Sequence, residues 1–243
     1  MSLWRLVQAD LMKLRRSLSL VIVLAIPAMV LVMQCFMRLS GHAAPDWERH
    51  ALSGAAIWAF LLLPLTATAL TALLAQIEHG PRAWSSLLSM PIPKDRVFAA
   101  KALLAVALMA VISVLLGAAI LASGLLSGAL DADAAPTGPI PAALLASVLG
   151  RMWLAGLLVV AIQFVVAMAT PNFAAPVIVG ITGTFFAVAA TSAKAGIYFP
   201  WLLPVNILAA EGDRALQATL SGAVGGVAVL IAGCWWLARR DWH

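Results

Sequence analysis

The sequence predicts an all-α polytopic membrane protein with six transmembrane helices. An amphipathic interfacial helix precedes them, and a re-entrant or interfacial segment precedes the last span. Two observations carry that reading. Hydrophobic residues fill 63% of the 243 positions and charged residues only 10%, with a mean hydropathy of +1.02. A water-soluble domain carries about 25% charged residues, so the polar surface that water demands is missing. In addition, apolar runs long enough to cross a bilayer, about 20 residues each, recur along the whole length. Residues 1–243 therefore read as a single membrane domain.

Residues 2–17 place Leu3, Val7, Leu11 and Leu14 on one side of a helix, with Arg5, Asp10, Lys13 and Arg16 on the other. Helical spacing with a basic polar face suits a helix lying in the headgroup layer, and Trp4 suits the same layer. No small-residue cleavage site follows the first apolar run, which speaks against a signal peptide. The first span covers 18–37 and contains Pro27; the second covers 51–77 and contains Pro64. Residues 78–96 form a charged loop, the one sizeable charged island between two apolar runs. The third span, 97–126, is longer than the hydrocarbon core and must tilt or protrude. An acidic loop, 127–141, carries Asp131 and Asp133. The fourth span is 149–169, and a turn between Pro171 and Pro176 leads to the fifth, 175–193. Residues 196–212 are apolar yet broken by Pro200 and Pro204 around Trp201. This segment is too short to cross twice and too apolar to be solvated; irregular backbone at that depth is buried in protein or lines a cavity. The last span, 217–238, stops at Arg239-Arg240-Asp241.

Placing the N-terminus in the cytoplasm puts ten of the 15 Lys and Arg on the inner side and four, Arg38, Arg49, Lys194 and Arg214, in outer loops. That asymmetry assigns both termini to the cytoplasm. The same placement explains the high isoelectric point without nucleic acid. Several function classes drop out. The chain has no G-x-x-x-x-G-K-[ST] phosphate loop, no H-E-x-x-H pair, no G-x-S-x-G elbow, and no span that pairs Ser with His or Lys. The four histidines read as lying near membrane faces or the terminus, with no metal site. Cys35 and Cys234 fall in spans and read as small buried hydrophobes. Gly124-x-x-x-Gly128 and Gly222-x-x-x-Gly226 have the spacing that lets helices approach closely. The interiors of the spans hold almost no charge; beyond Lys101, at the start of the third, the exception is Arg151, near the outer end of the fourth. It either snorkels to headgroups or faces an anionic cargo. Without an intramembrane relay, energy for moving anything must enter from outside the chain.

The charged island is the place for it to enter. Glu78 stands where the second span emerges and Gly80-Pro81 breaks the helix. Trp84, Leu87 and Leu88 share one face at helical spacing, and Pro91 closes the stretch before Lys94, Asp95, Arg96 and Lys101. That face either docks in a partner's groove or anchors the loop in the interface.

Three stretches carry a resemblance: Leu11-Met12-Lys13-Leu14-Arg15-Arg16-Ser17 before the first span; Glu78, then Trp84-Ser85-Ser86-Leu87-Leu88-Ser89-Met90-Pro91, then Lys101; and the closing Arg239-Arg240-Asp241. With the order of elements, they make the chain similar to permease subunits of type-2 ATP-binding-cassette (ABC) exporters, most of all the branch that includes bacteriocin (lantibiotic) immunity permeases. The resemblance implies a bacterial cytoplasmic (inner) membrane protein with no catalysis of its own. ATP and Mg would sit on separate ABC ATPase subunits, and a second permease chain, identical or sibling, would complete the unit within membrane lipid. The N-terminal helix and the Glu78–Pro91 loop would rest on the ATPases. The segment holding Pro200, Trp201 and Pro204 would shape the outer exit for a peptide or hydrophobic small molecule. The alternative is an immunity protein that sequesters a toxic peptide without transporting it.

Overall fold

A computed structural model describes residues 3–14, 17–42, 45–80, 84, 91–191, 194–208 and 213–240. The described residues are almost entirely helical. They form α1 (Leu3–Leu14), α2 (Leu18–Leu39), α3 (Trp47–His79), α4 (Lys94–Leu130), α5 (Ala142–Ala169), α6 (Ala174–Ala190), the single-turn α7 (Leu203–Asn206) and α8 (Asp213–Arg239). Five of these, α2, α3, α4, α5 and α8, are long and apolar enough to cross a membrane. The chain is thus a multi-pass membrane protein.

The six-span expectation holds only in part. α6 has 17 residues, which at 1.5 Å per residue gives about 25 Å, short of the roughly 30 Å hydrocarbon core. The other helices overrun their expected limits. α3 begins at Trp47, capped by the Asp46 carboxylate accepting from the Arg49 amide at 2.8 Å. α5 begins at Ala142 and so absorbs the stretch before residue 149. At 37 residues α4 is the longest helix, about 55 Å at the same rise.

α3 passes through a π-helical turn, Trp58–Leu62, immediately before Pro64. A proline ring clashes with the carbonyl four residues back, here Phe60. The wider turn relieves that clash, with the Leu63 amide reaching five residues back to the Trp58 carbonyl.

α3 and α5 form the centre. In their most apolar stretches 67% and 61% of residues are buried, against 28% for α2 and for α8, which lie at the periphery. Phe36, Val114, Phe185, Val224 and Ile231 point outward, as expected of a surface solvated by acyl chains. α8 packs along α5 by its glycines: a Cβ at Gly222 would enter the Ala155 backbone, and one at Gly226 would lie 2.6 Å from the Leu157 carbonyl carbon. Likewise a Cβ at Gly124 would lie 2.6 Å from the Trp47 ring. Both small-residue motifs therefore serve packing within this chain.

Residues 194–208 are inserted into the bundle. Two 3-10 turns, Lys194–Tyr198 and Pro200–Leu202, lead into α7. Trp201, Leu202, Leu203, Pro204 and Asn206 are buried, with Trp201 against Gly183 of α6.

Replacing Gly226 by Val should lower the midpoint of thermal unfolding in detergent, reflecting about 1–3 kcal/mol of overpacking strain. Gly150→Ala, where an added methyl meets nothing within 4 Å, should leave it unchanged or raise it slightly.

Candidate functional site

One end of the bundle gathers both described chain ends and the charges that flank the spans. The C-terminal turn of α3 brings Glu78 there, and the first two turns of α4 bring Lys101. α1 brings Asp10 and Lys13, one helical turn apart. Glu78 Oε1 accepts from Lys13 Nζ at 2.6 Å and from Lys101 Nζ at 2.9 Å; Asp10 Oδ1 accepts from Lys101 Nζ at 3.0 Å. Lys13 also lies 3.8 Å from Asp10. Two acids and two bases thus form a neutral cluster joining three helices. Glu78 is 2% exposed and Lys101 3%. An ammonium that deep is tolerated only when paired, and two carboxylates bracket it.

An aromatic clasp closes over the cluster. The Trp84 ring lies 5.9 Å beneath Lys101 Nζ, within cation–π range. It stacks on Phe98 of α4 at 5.3 Å between centroids. Its indole N–H donates to His79 Nδ1 at 3.0 Å. Indole only donates, so His79 keeps its proton on Nε2, which faces the Met168 carbonyl of α5 at 3.2 Å. Gln76 reaches the Pro171 carbonyl and Arg240 the Ala169 carbonyl. The ends of α1, α3, α4, α5 and α8 are therefore joined in one polar layer.

Of the residues the sequence singled out, Glu78 and Trp84 fall in this layer. Glu78 lies inside α3, so the loop begins at Gly80 and not at Glu78. Trp84 is buried and turned inward; it is not part of an open face. Leu87 and Leu88 lie outside the described residues, and Pro91 is exposed at a bend. On α1, Leu6, Asp10 and Leu14 face the bundle, while Leu3, Trp4 and Leu11 are exposed and Val7 is half-buried. Asp10 was expected on the solvated side with Lys13 and is instead buried. Lys101 gave the signal: a lysine within an apolar helix requires an acidic partner, and Asp10 lies in the neighbouring amphipathic helix. His50 and His79, expected outside the spans, both lie within α3 because that helix is longer than its apolar core.

A second polar group sits toward the opposite end. Ser123 Oγ donates to Gln34 Oε1 at 3.2 Å and faces His50 Nε2 at 3.0 Å, joining α2, α3 and α4. Arg38 Nε donates to the Ala134 carbonyl at 2.7 Å. Arg151 is exposed on α5 and brought to none of these groups. Around the inserted segment, Trp58 Nε1, Thr66 Oγ1, Trp201 Nε1 and Asn206 Nδ2 are buried without a hydrogen-bond partner among the described residues.

A family model described as ABC-2 family transporter protein matches residues 6–187, well over half of the chain. The chain belongs to the ABC-2 transporter family. No curated protein matches it. The permease domain of this family is not itself catalytic, and membership implies ATPase partners. The matched region runs from α1 through α6, so the ion cluster lies wholly within it.

Lys101→Met leaves Asp10 and Glu78 buried with one base between them and should destabilise the permease by about 3 kcal/mol. Adding Glu78→Leu leaves the Asp10–Lys13 pair and should recover most of that loss. Thermal unfolding of the single and double variants in detergent checks both.

Proposed function

We propose that the charged end of the bundle is where separate ATPase subunits act on this permease. The observation that supports this is the ion cluster. It makes α1 and the ends of α3 and α4 a single body, so a force on the surface helix or on the loop after Gly80 moves two spans together. Glu78 and Trp84 act from inside this body, holding the loop's origin. Leu87, Leu88 and Pro91 belong to the loop that meets the partner. Leu3, Val7 and Leu11 of α1 lie in the headgroup layer beside it, with Trp4, and Leu14 holds α1 to the bundle. This end faces the cytoplasm, the assignment favoured by the Lys and Arg asymmetry. ATP and Mg bind to the partner subunits. Their binding shifts the permease between states by differing in affinity for the two.

The working unit pairs this chain with a second permease, identical or sibling, in a bacterial cytoplasmic membrane. Cargo moves outward, and it is a peptide or hydrophobic small molecule such as those handled by the bacteriocin-immunity branch. The inserted segment with Pro200, Trp201 and Pro204 shapes the exit. Support comes from its irregular backbone and from the unpartnered polar atoms of Trp58, Thr66, Trp201 and Asn206, since buried polar groups left unpaired tend to mark functional places. Arg151, exposed near the outer end of α5, meets anionic headgroups or an anionic cargo on leaving.

Co-expression with a partner ABC ATPase should yield a complex that co-purifies. Leu87→Asp should release the ATPase while the bundle still melts at the wild-type temperature. Trp84→Ala should lower the melting temperature and uncouple ATP hydrolysis from export by tenfold or more in proteoliposomes. Retained ATPase and unchanged export in both variants would remove the coupling assignment.

A further inference from the structure

We propose that the groove between α4 and α8 binds one anionic phosphoglyceride, with its phosphate between Lys94 and Arg239 and an acyl chain between the helices. The groove measures about 510 Å³, within the size range of ligand sites. Its walls are apolar: Ala99 and Leu103 on α4, and Val227, Leu230 and Ile231 on α8. At the charged end it opens into a second concavity of about 430 Å³ lined by Lys94, Asp95, Trp235, Ala238 and Arg239. Asp95 and Trp235 line both spaces, so the apolar slot continues directly into the charged mouth.

The mouth has the chemistry of a phosphate site. The Arg239 guanidinium lies 3.6 Å from the centroid of the Trp235 ring, which holds its planar donors in place. Lys94 and Arg239 take part in no ion pair among the described residues. Lys94 is the first residue of α4, whose N-cap, Pro93, offers no capping side chain; the positive pole of the helix adds to the same field. Two cations against the single Asp95 carboxylate leave the mouth with one net positive charge, which favours an anionic headgroup over a zwitterionic one. The Asp95 carboxylate can accept from a headgroup hydroxyl, which selects a hydroxylated headgroup such as glycerol. Trp235, more than half exposed, sits where aromatic side chains meet the headgroup layer. Basic pockets between transmembrane helices at this level are known lipid sites.

Native mass spectrometry of the full chain in detergent, titrated with phosphatidylglycerol or with phosphatidylcholine of the same acyl chains, tests this. The wild type should retain one phosphatidylglycerol at concentrations where phosphatidylcholine is lost. Lys94→Gln with Arg239→Gln should weaken that retention roughly tenfold to thirtyfold. Ala99→Phe, which fills the slot and leaves the mouth intact, should weaken it comparably. Equal retention of the two lipids, or of phosphatidylethanolamine and phosphatidylglycerol, would overturn the anionic assignment. Displacement by millimolar glycerol phosphate would overturn the role of the slot. High-yield disulfide cross-linking of Val227→Cys between two copies, in a background lacking Cys35 and Cys234, would show that a second permease fills the groove instead of lipid.

Discussion

Lys101 cannot be where it is without Asp10 and Glu78. Its ammonium lies inside a long apolar helix, shielded from water, and burying a lone cation there costs several kcal/mol, a large part of the margin by which most domains are stable. The two carboxylates that meet this demand come from different helices, one of them a surface helix that crosses no membrane. The requirement of a single lysine therefore fixes the position of α1, the end of α3 and the register of both against α4. The Trp84 clasp is a second consequence. An aromatic face over Lys101 excludes water from the pair, and its N–H sets the tautomer through which His79 faces α5.

Much of this architecture was legible from composition alone. Runs of apolar residues announced the spans, and the charges between Glu78 and Lys101 marked the end at which they converge. What composition could not give was helix length beyond the apolar core. Polar residues such as His50, Glu78 and His79 read as loop by hydropathy, yet they continue the helical hydrogen-bond ladder because partners on neighbouring helices take up their side chains. The same reason hid Asp10. On a helical wheel it belongs with Lys13 and Arg5, and only the demand from α4 turns it inward. α6 departs in the opposite direction: its hydropathy is that of a span, and the helix ends at Ala190 after 17 residues, the lower end of the range for a crossing. The glycine motifs were visible as spacing, whereas their use within one chain depends on which helix happens to lie alongside.

The two polar layers are built differently. At the charged end full charges pair across three helices. In the other half neutral groups, Gln34, His50, Ser53 and Ser123, share hydrogen bonds between α2, α3 and α4. Both layers include α3 and α4, and between them lies the π-turn before Pro64. Neutral bonds can be exchanged for others at modest cost, while separated buried charges cannot. The rearrangement that opens a path is therefore easier to place near the π-turn and the inserted segment than at the ion cluster.

The length of α4 acquires a mechanical meaning from this. It is an uninterrupted rod, without proline between Lys94 and Leu130, clamped near its foot by the ion pairs with α1 and α3. For a stiff rod of about 55 Å, a tilt of about 5° at the foot carries the far tip sideways by about 5 Å. That sweep is comparable to the width of a polypeptide backbone. A small tilt at the foot of α4 is thus enlarged into a displacement of several ångströms at its far end, with no refolding of the rod that carries it.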